Sequence, residues 1–242
     1  MAVNLRLNGD LCRFLAKGRR QMAVPPLALT RRTSIKDFLE ALGIPHPEIH
    51  RLLVNGAEKD FNYLVGADDR IEVFGVPPSV DLTEHNHLTP ALHPIRFAVD
   101  ANVGKLARLL RMTGFDTSYD PGLTDAELAE TAWRDKRILL TRDIALLKKK
   151  VVVHGRLIRH SNPAKQLKEV IGLYGLRDRI LPFSRCLCCN GVLEEIAKAK
   201  IIDRLQPLTR RYYDDFRICP QCERLYWPGS HRQRMLKFIE EL

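Results

Sequence analysis

PIRFAVDANVGKLARLLRMTGFD, residues 94–116, is the stretch whose reading decides the fold. Phe97 to Val99 is an apolar run of strand length, and it delivers Asp100 at its end, where a carboxylate can face solvent or a metal. A helix follows at once. Val103, Leu106, Leu109 and Leu110 recur at helical spacing, Lys105, Arg108 and Arg111 fall largely off that stripe and are expected to stay wet, and Gly114 sits where a left-handed cap belongs. The same junction recurs in KRILLTRD, where Ile138 to Leu140 is a buried run and Asp143 closes it. If the two strands are parallel neighbours in an open α/β sheet, both acids project into the crevice beyond the strands' carboxyl ends, the usual ligand site of such sheets.

Composition frames this reading. A chain of 242 residues can bury a real core as one large or two small domains. No apolar run is long enough to span a bilayer and the start lacks a signal-peptide core, so a soluble cytoplasmic protein is expected, with no membrane partner. Of six cysteines, four fall into two CxxC pairs, which favours metal ligation in a reducing compartment over disulfides. The net charge of +10 is uneven: residues 1–95 carry 11 Lys+Arg and 11 Asp+Glu, leaving 28 and 18 for the remainder. Such a field favours polyanions, RNA foremost, although a basic surface also simply solubilises.

Residues 1–75 read ββαββ. Val3, Leu5 and Leu7 alternate as in a half-buried strand, and a second strand is expected near Met22 to Leu29. Ser34 and Asp37 suggest a capping box for a helix with Ile35, Phe38, Leu39 and Leu42 on its apolar face and Gly43 at its end. Leu52 to Val54 then runs into the turn pair Asn55-Gly56, and Arg70 to Phe74 alternates after GADD. SIKDFLEALGIPHPEIHRLLVNG followed by DDRIEVFGVPP resembles the ubiquitin-like β-grasp domain related to the sulfur carriers of thiamin and molybdopterin synthesis. Those carriers end in a free Gly-Gly, whereas this chain continues through Val76-Pro77-Pro78, so sulfur carriage is not expected. The resemblance implies a protein partner for the β-grasp domain. Deleting residues 1–80 is accordingly expected to leave cleavage of short RNA largely intact.

VPPSVDLTEHNHLTPALHPI, residues 76–95, has linker composition, and its histidines at 85, 87 and 93 read as solvated. Beyond it strands and helices alternate. Thr124 and Glu127 form a capping box that puts Asp125 in a first helical turn, Leu157-Ile158 suggests a further strand, and Pro163 opens a helix burying Leu167, Val170 and Ile171. Strands separated by helices imply a parallel sheet.

Residues 97–143 resemble a PIN-type nuclease domain, in which separated acids converge on divalent metal. Asp100 matches the acid after the first strand, Asp125 the acid opening a later helix, and Asp143 the acid of the TRD segment. From Asp100 to the C-terminus the chain resembles the Mut-seven C-terminal RNase family, which pairs a PIN-like domain with a zinc ribbon and often carries the ubiquitin-like domain in front. A further acid common in PIN nucleases has no assigned counterpart, with Asp116, Asp120 and Glu127 as candidates.

RCLCCN supplies Cys186 and Cys189, ICPQC supplies Cys219 and Cys222, and the two spacings suit a four-thiolate structural zinc site with the stretch between them a folded excursion. Cys188 is left over. In RLYWPGSHRQRM, Tyr226 and Trp227 sit among Arg224, His231, Arg232 and Arg234, a mixture that stacks and clamps unpaired bases, with packing against the ribbon the other use of the tryptophan.

The expected architecture is α/β: a β-grasp domain over 1–80, a linker over 81–94, a PIN-like domain over 95–180, and a zinc ribbon with a basic segment over 181–242. The expected function is metal-dependent RNA hydrolysis at Mg or Mn held by Asp100, Asp125 and Asp143, with Lys105, Arg108, Arg142, Tyr226, Trp227, His231 and Arg232 binding RNA. A non-catalytic RNA- or ribosome-associated adaptor is the rival.

Overall fold

The computed structural model describes residues 2–15, 23–28 and 32–242. Val3, Leu5 and Leu7 point into the core from β1 (Ala2–Asn8). The chain continues through β2 (Ala23–Ala28), α1 (Ile35–Ala41), β3 (Ile49–Val54), β4 (Ala57–Glu58) and β5 (Arg70–Gly75). Met22 and Leu29, the ends expected for the second strand, lie outside the described residues. The sheet runs β2-β1-β5-β3-β4, with β1 and β5 parallel and every other pair antiparallel. Ser34 Oγ accepts from Asp37 N at 3.1 Å, and α1 lays Ile35 and Leu39 across Leu7, Leu52 and Val73. A helix gripped by a mixed sheet in this order is the ubiquitin-like β-grasp arrangement.

The second unit alternates β6 (Phe97–Val99), α2 (Gly104–Met112), β7 (Thr117–Ser118), α3 (Asp125–Arg134), β8 (Ile138–Thr141), α4 (Ile144–Leu147), β9 (Gly155–Leu157) and α5 (Pro163–Leu173). Its sheet is wholly parallel in the order β7-β6-β8-β9. The period of two along a strand divides the core. Phe97 and Val99 face α2 and α5 with Leu106, Leu110, Leu167 and Val170, while Ala98 and Leu139 face α3 and α4 with Leu128, Ala129 and Leu146. The strand expected at Leu157-Ile158 begins earlier, at Gly155, because it is the backbone of 155–157 that pairs with Leu139 to Thr141.

The C-terminal unit is a three-stranded antiparallel sheet, β10 (Glu194–Glu195), β11 (Arg217–Ile218) and β12 (Leu225–Tyr226), with α6 (Pro207–Tyr212) in the excursion between the cysteine pairs. A last helix, α7 (Ser230–Glu240), returns to pack Phe238 and Ile239 with Met112 and Phe183.

Two contacts bolt this unit to the parallel sheet. Gly114 has φ +95°, and a Cβ there would stand 2.4 Å from Leu181 O, so the residue ending α2 must be glycine for the chain to pass. Arg111 is not wet as expected but 5 % exposed, because the ribbon covers its side of α2. Its Nε donates to Thr117 O at 3.0 Å and its Nη1 to Cys188 O at 2.6 Å.

The linker is not a loose tether either. Val80 and Leu92 are buried in the core of the parallel-sheet unit, and Leu88 packs on the β-grasp core. The β-grasp unit docks its His46-Pro47-Glu48 turn on edge strand β9. His46 Nε2 donates to Val152 O at 2.7 Å, and Glu48, 1 % exposed on its side chain, accepts from Arg156 Nη1 at 2.5 Å and Leu157 N at 2.7 Å. Burial pushes the Glu48 carboxyl up to about 7 against the pull of Arg156 and the Leu157 N–H. This contact ties the β-grasp unit to the parallel-sheet unit. Among the described residues no helix is long and apolar enough to cross a membrane.

Candidate active site and cysteine cluster

Strands β6 and β8 are parallel neighbours in the register Phe97↔Ile138 to Val99↔Leu140, so the two acid-bearing junctions stand side by side. Asp100 N donates to Leu140 O at 3.0 Å, which fixes the acid as it leaves the sheet. Its Oδ2 accepts from Thr141 Oγ1 at 2.5 Å and Asn102 Nδ2 at 2.6 Å. Thr141 Oγ1 in turn accepts from Asp143 N at 2.9 Å, and Asn102 Oδ1 accepts from Arg142 N at 3.1 Å. Thr141 therefore ties the two carboxylate-bearing residues together. Asp143 caps α4, its Oδ1 accepting from Ala145 N at 2.7 Å and Leu146 N at 3.3 Å.

Asp125 is the exposed first residue of α3, beside a complete capping box of Thr124 and Glu127. Among the described residues Asp100, Asp125 and Asp143 make no ion pair. Among the described residues, the group of at least three His, Cys, Asp or Glu donors within 4.8 Å of one another is the cysteine cluster, and the three acids do not form one at that distance.

The candidates for a further acid have other partners. Burial would raise Asp116, but hydrogen bonds from Arg137 Nη1 at 2.6 Å and Asn190 Nδ2 at 2.9 Å, with the Arg137 and Arg185 guanidiniums, outweigh it and hold the carboxyl below its usual range. Glu127 closes the capping box, and Asp120 accepts from Gly122 N in a turn. Asp116 thus joins the sheet to the cysteine loop through Asn190.

Lys105, Arg108 and Arg142 are exposed around this end of the sheet. The side chain of His231 lies outside the described residues. Tyr226 has a structural duty: its hydroxyl meets Cys186 Sγ at 3.1 Å and accepts from Leu187 N at 3.0 Å. Arg232 lies 4.9 Å from the centroid of Phe183, and Trp227 is 40 % exposed.

The sulfurs of Cys186, Cys189, Cys219 and Cys222 lie within 4.8 Å of one another, Cys186 to Cys222 at 3.5 Å and Cys189 to Cys219 at 3.3 Å. Tetrahedral zinc with Zn–S bonds of about 2.3 Å needs sulfurs roughly 3.8 Å apart, so the cluster fits that ion. Burial raises the Cys186 thiol, but the Tyr226 hydroxyl and the N–H groups of Cys189 and Cys188 outweigh it and bring it down to about 6. Cys222 receives an N–H from Arg224, yet burial and its sulfur neighbours push it up to about 12. One thiol ionises readily and the next resists, a conflict that a divalent cation removes. Cys188 stays outside the cluster, and its carbonyl anchors Arg111.

Sequence reasoning missed Asn102 and Thr141, which hold Asp100. The Thr of TRD and the Asn two places after Asp100 were the available signals.

Two family models match the chain: the Mut7-C RNAse domain over residues 95–239 and the Mut7-C ubiquitin domain over residues 1–81. No curated protein matches, and no solved structure does.

Proposed function

The chain belongs to the Mut7-C RNAse domain family, and on that premise we propose that it hydrolyses RNA phosphodiester bonds with Mg²⁺ or Mn²⁺ bound through Asp100, Asp125 and Asp143. The observation that carries this reading is the contrast among the acids that flank the strands of the parallel sheet. Asp116 is neutralised by guanidiniums, whereas Asp100 and Asp143 meet only hydroxyl, amide and backbone donors. Carboxylates left without a protein cation suit a hard metal, and Mg²⁺ takes one or two of them together with waters and substrate phosphates instead of a closed protein cage.

Such a cation, held by these carboxylates, would supply an acidified water and positive charge to offset that developing on the phosphodiester and its leaving oxygen. The chain's own residues hold the geometry. Thr141 and Asn102 fix Oδ2 of Asp100, and the cap at α4 fixes Asp143. Lys105, Arg108 and Arg142 guide phosphates, with Trp227, Tyr226, His231 and Arg232 on the ribbon side. By analogy with the family the products carry a 5′-phosphate and a 3′-hydroxyl.

Incubation of the full chain with defined RNAs, with EDTA or Mn²⁺, tests the proposal. Cleavage that needs the metal, and is abolished by Asp100→Asn while RNA binding persists, is expected. Binding without cleavage by the parent chain under every metal condition overturns it in favour of the adaptor.

A further inference from the structure

A cleft of about 1360 Å³ opens between the ribbon and α7. It exceeds the usual size of a small-molecule pocket, roughly 300–1,000 Å³. Its walls carry large aromatic side chains that the fold leaves uncovered. Tyr212, at the end of α6, is 64 % exposed, Trp227 is 40 % exposed, and Tyr213 lies beside them. The Arg211 guanidinium sits 5.5 Å from the Tyr212 ring centroid, which sets a cation against one stacking surface.

The charge of the lining is mixed. Arg108, Arg217, Arg224 and Arg232 face Glu195, Asp214 and Asp215. Two of those acids already have cations, Glu195 from Arg217 at 3.7 Å and Asp214 from Lys198 at 2.8 Å. The result is a modestly basic groove rich in rings. A duplex hides its base faces and is gripped through phosphates, whereas an unpaired strand offers faces to stack.

The cleft also leads somewhere. A second, smaller groove of about 560 Å³ shares Arg108, Leu187 and Cys188 with it, and runs along α2 past Lys105 to Asn102. Asn102 donates to Asp100 Oδ2. One continuous surface therefore joins the exposed rings to the carboxylates, with Arg108 at the junction.

We infer that the cleft between the ribbon and α7 binds unpaired RNA, bases stacking on Tyr212, Tyr213 and Trp227, and that the strand continues over Arg108 and Lys105 to Asp100. This rests on the reading of Asp100 as part of a ribonuclease site. The substrate is then RNA with a single-stranded stretch long enough to reach from the rings to the acids. A duplex, or an oligomer too short to span both grooves, loses the stacking contribution.

Fluorescence anisotropy with labelled single-stranded RNA, and with the same strand in a duplex, tests this on full-length Asp100→Asn protein, in which binding is separated from cleavage. The single strand should bind more tightly. Tyr212→Ala and Trp227→Ala, each added to that background, should weaken single-strand binding roughly 5- to 150-fold, the loss of one stacked base, with duplex binding unchanged. Tyr212→Phe should retain parental affinity, and Tyr212→Leu should not. Because Tyr212 is largely exposed, its variants keep the fold, and a circular dichroism melt checks this. Parental single-strand affinity in both alanine variants overturns the inference and leaves the cleft as a protein-docking surface. Parental cleavage of RNA by Tyr212→Ala sinks the inference but not the nuclease reading. Ring-dependent binding by a chain that never cleaves sinks the nuclease reading and the strand's course to a reaction centre at Asp100, but not the stacking of unpaired bases in the cleft.

Discussion

Asp100→Asn and Asp116→Asn should have opposite consequences: Asp100 follows β6 at its carboxyl end, whereas Asp116 precedes β7 at the amino end of the same parallel sheet. At Asp100 the carboxylate receives two neutral hydrogen bonds on Oδ2 and no ion pair among the described residues. An asparagine keeps one acceptor oxygen for Thr141 or Asn102, so the metal-free protein changes by no more than about 1 kcal/mol, the worth of one neutral hydrogen bond. In a chain of 242 residues that moves Tm by at most about 4 °C. Cleavage should fall by at least about 100-fold, since a metal's transition-state contribution is several kcal/mol. Asp116 is the converse. Its charge-assisted bond from Arg137 at 2.6 Å contributes about 1.5–3 kcal/mol, so Asp116→Asn should lower Tm by roughly 3–12 °C. It should still cleave RNA below its melt.

Thermal melts in EDTA, paired with Mn²⁺-dependent cleavage at a temperature below both transitions, read the two effects separately. Acid adds a third axis. Asp116 is held below its unfolded value, so its contribution is complete above about pH 4 and is lost as pH falls through the depressed value. Parent protein should show that acid limb and Asp116→Asn should not. A chain in which Asp100→Asn melts as low as Asp116→Asn, or cleaves like the parent, refutes the division of labour between these acids.

Protein purified without chelators should contain one zinc per chain, and Cys219→Ser should lose it and destabilise the ribbon. Metal analysis finding no zinc in the parent would exclude the four-cysteine site. Burial raises Glu48 to about 7, so its carboxylate is harder to ionise in the fold than in the unfolded chain: stability should be fullest below about pH 4.5 and fall as pH climbs toward 7. Glu48→Gln should flatten that window, and a parent melt that is level between these values would show the donors from Arg156, Leu157 and Arg13 Nη2, the last at 3.1 Å, to be stronger than burial. A chain of residues 81–242 should melt well below the full chain, because Val152, 1 % exposed, and Arg156, 4 % exposed, become solvent-facing when the His46-Pro47-Glu48 turn is gone. Coincident melts would make the two units independent.

What was legible in the sequence was whatever local periodicity encodes. Phe97 to Val99 and Ile138 to Leu140 are apolar on both sides because both faces of their sheet are covered, and such continuous runs announce a buried parallel strand. The cysteine knuckles were legible because metal geometry fixes their spacing. Arg111 was not. On its own helix it lies off the apolar stripe, and only the ribbon, some 75 residues further along the chain, supplies the Cys188 carbonyl that buries it. The dock of Glu48 on Arg156 was hidden for the same reason, since a charge pair 108 residues apart leaves no local pattern. Asp116 and Asp100 look alike in sequence, each an acid beside a strand. Their partners distinguish them, and those partners come from Arg137 and Asn190 in one case and from Thr141 and Asn102 in the other.

The short helix α2 is where these long-range contacts meet. Its first turn follows Asp100, its exposed face carries Lys105 and Arg108 into the groove, and its last turn presents Arg111 and Met112 to the cysteine loop and α7. A nine-residue helix is too short to bend appreciably between those ends. A displacement of the ribbon is therefore carried as a rigid shift to Arg108 and to the segment holding Asn102. Zinc bound by the four cysteines would have no open coordination position with which to do chemistry. On the proposed reading the ribbon would reach the carboxylates through this helix, which sets where the aromatic cleft ends relative to where they begin.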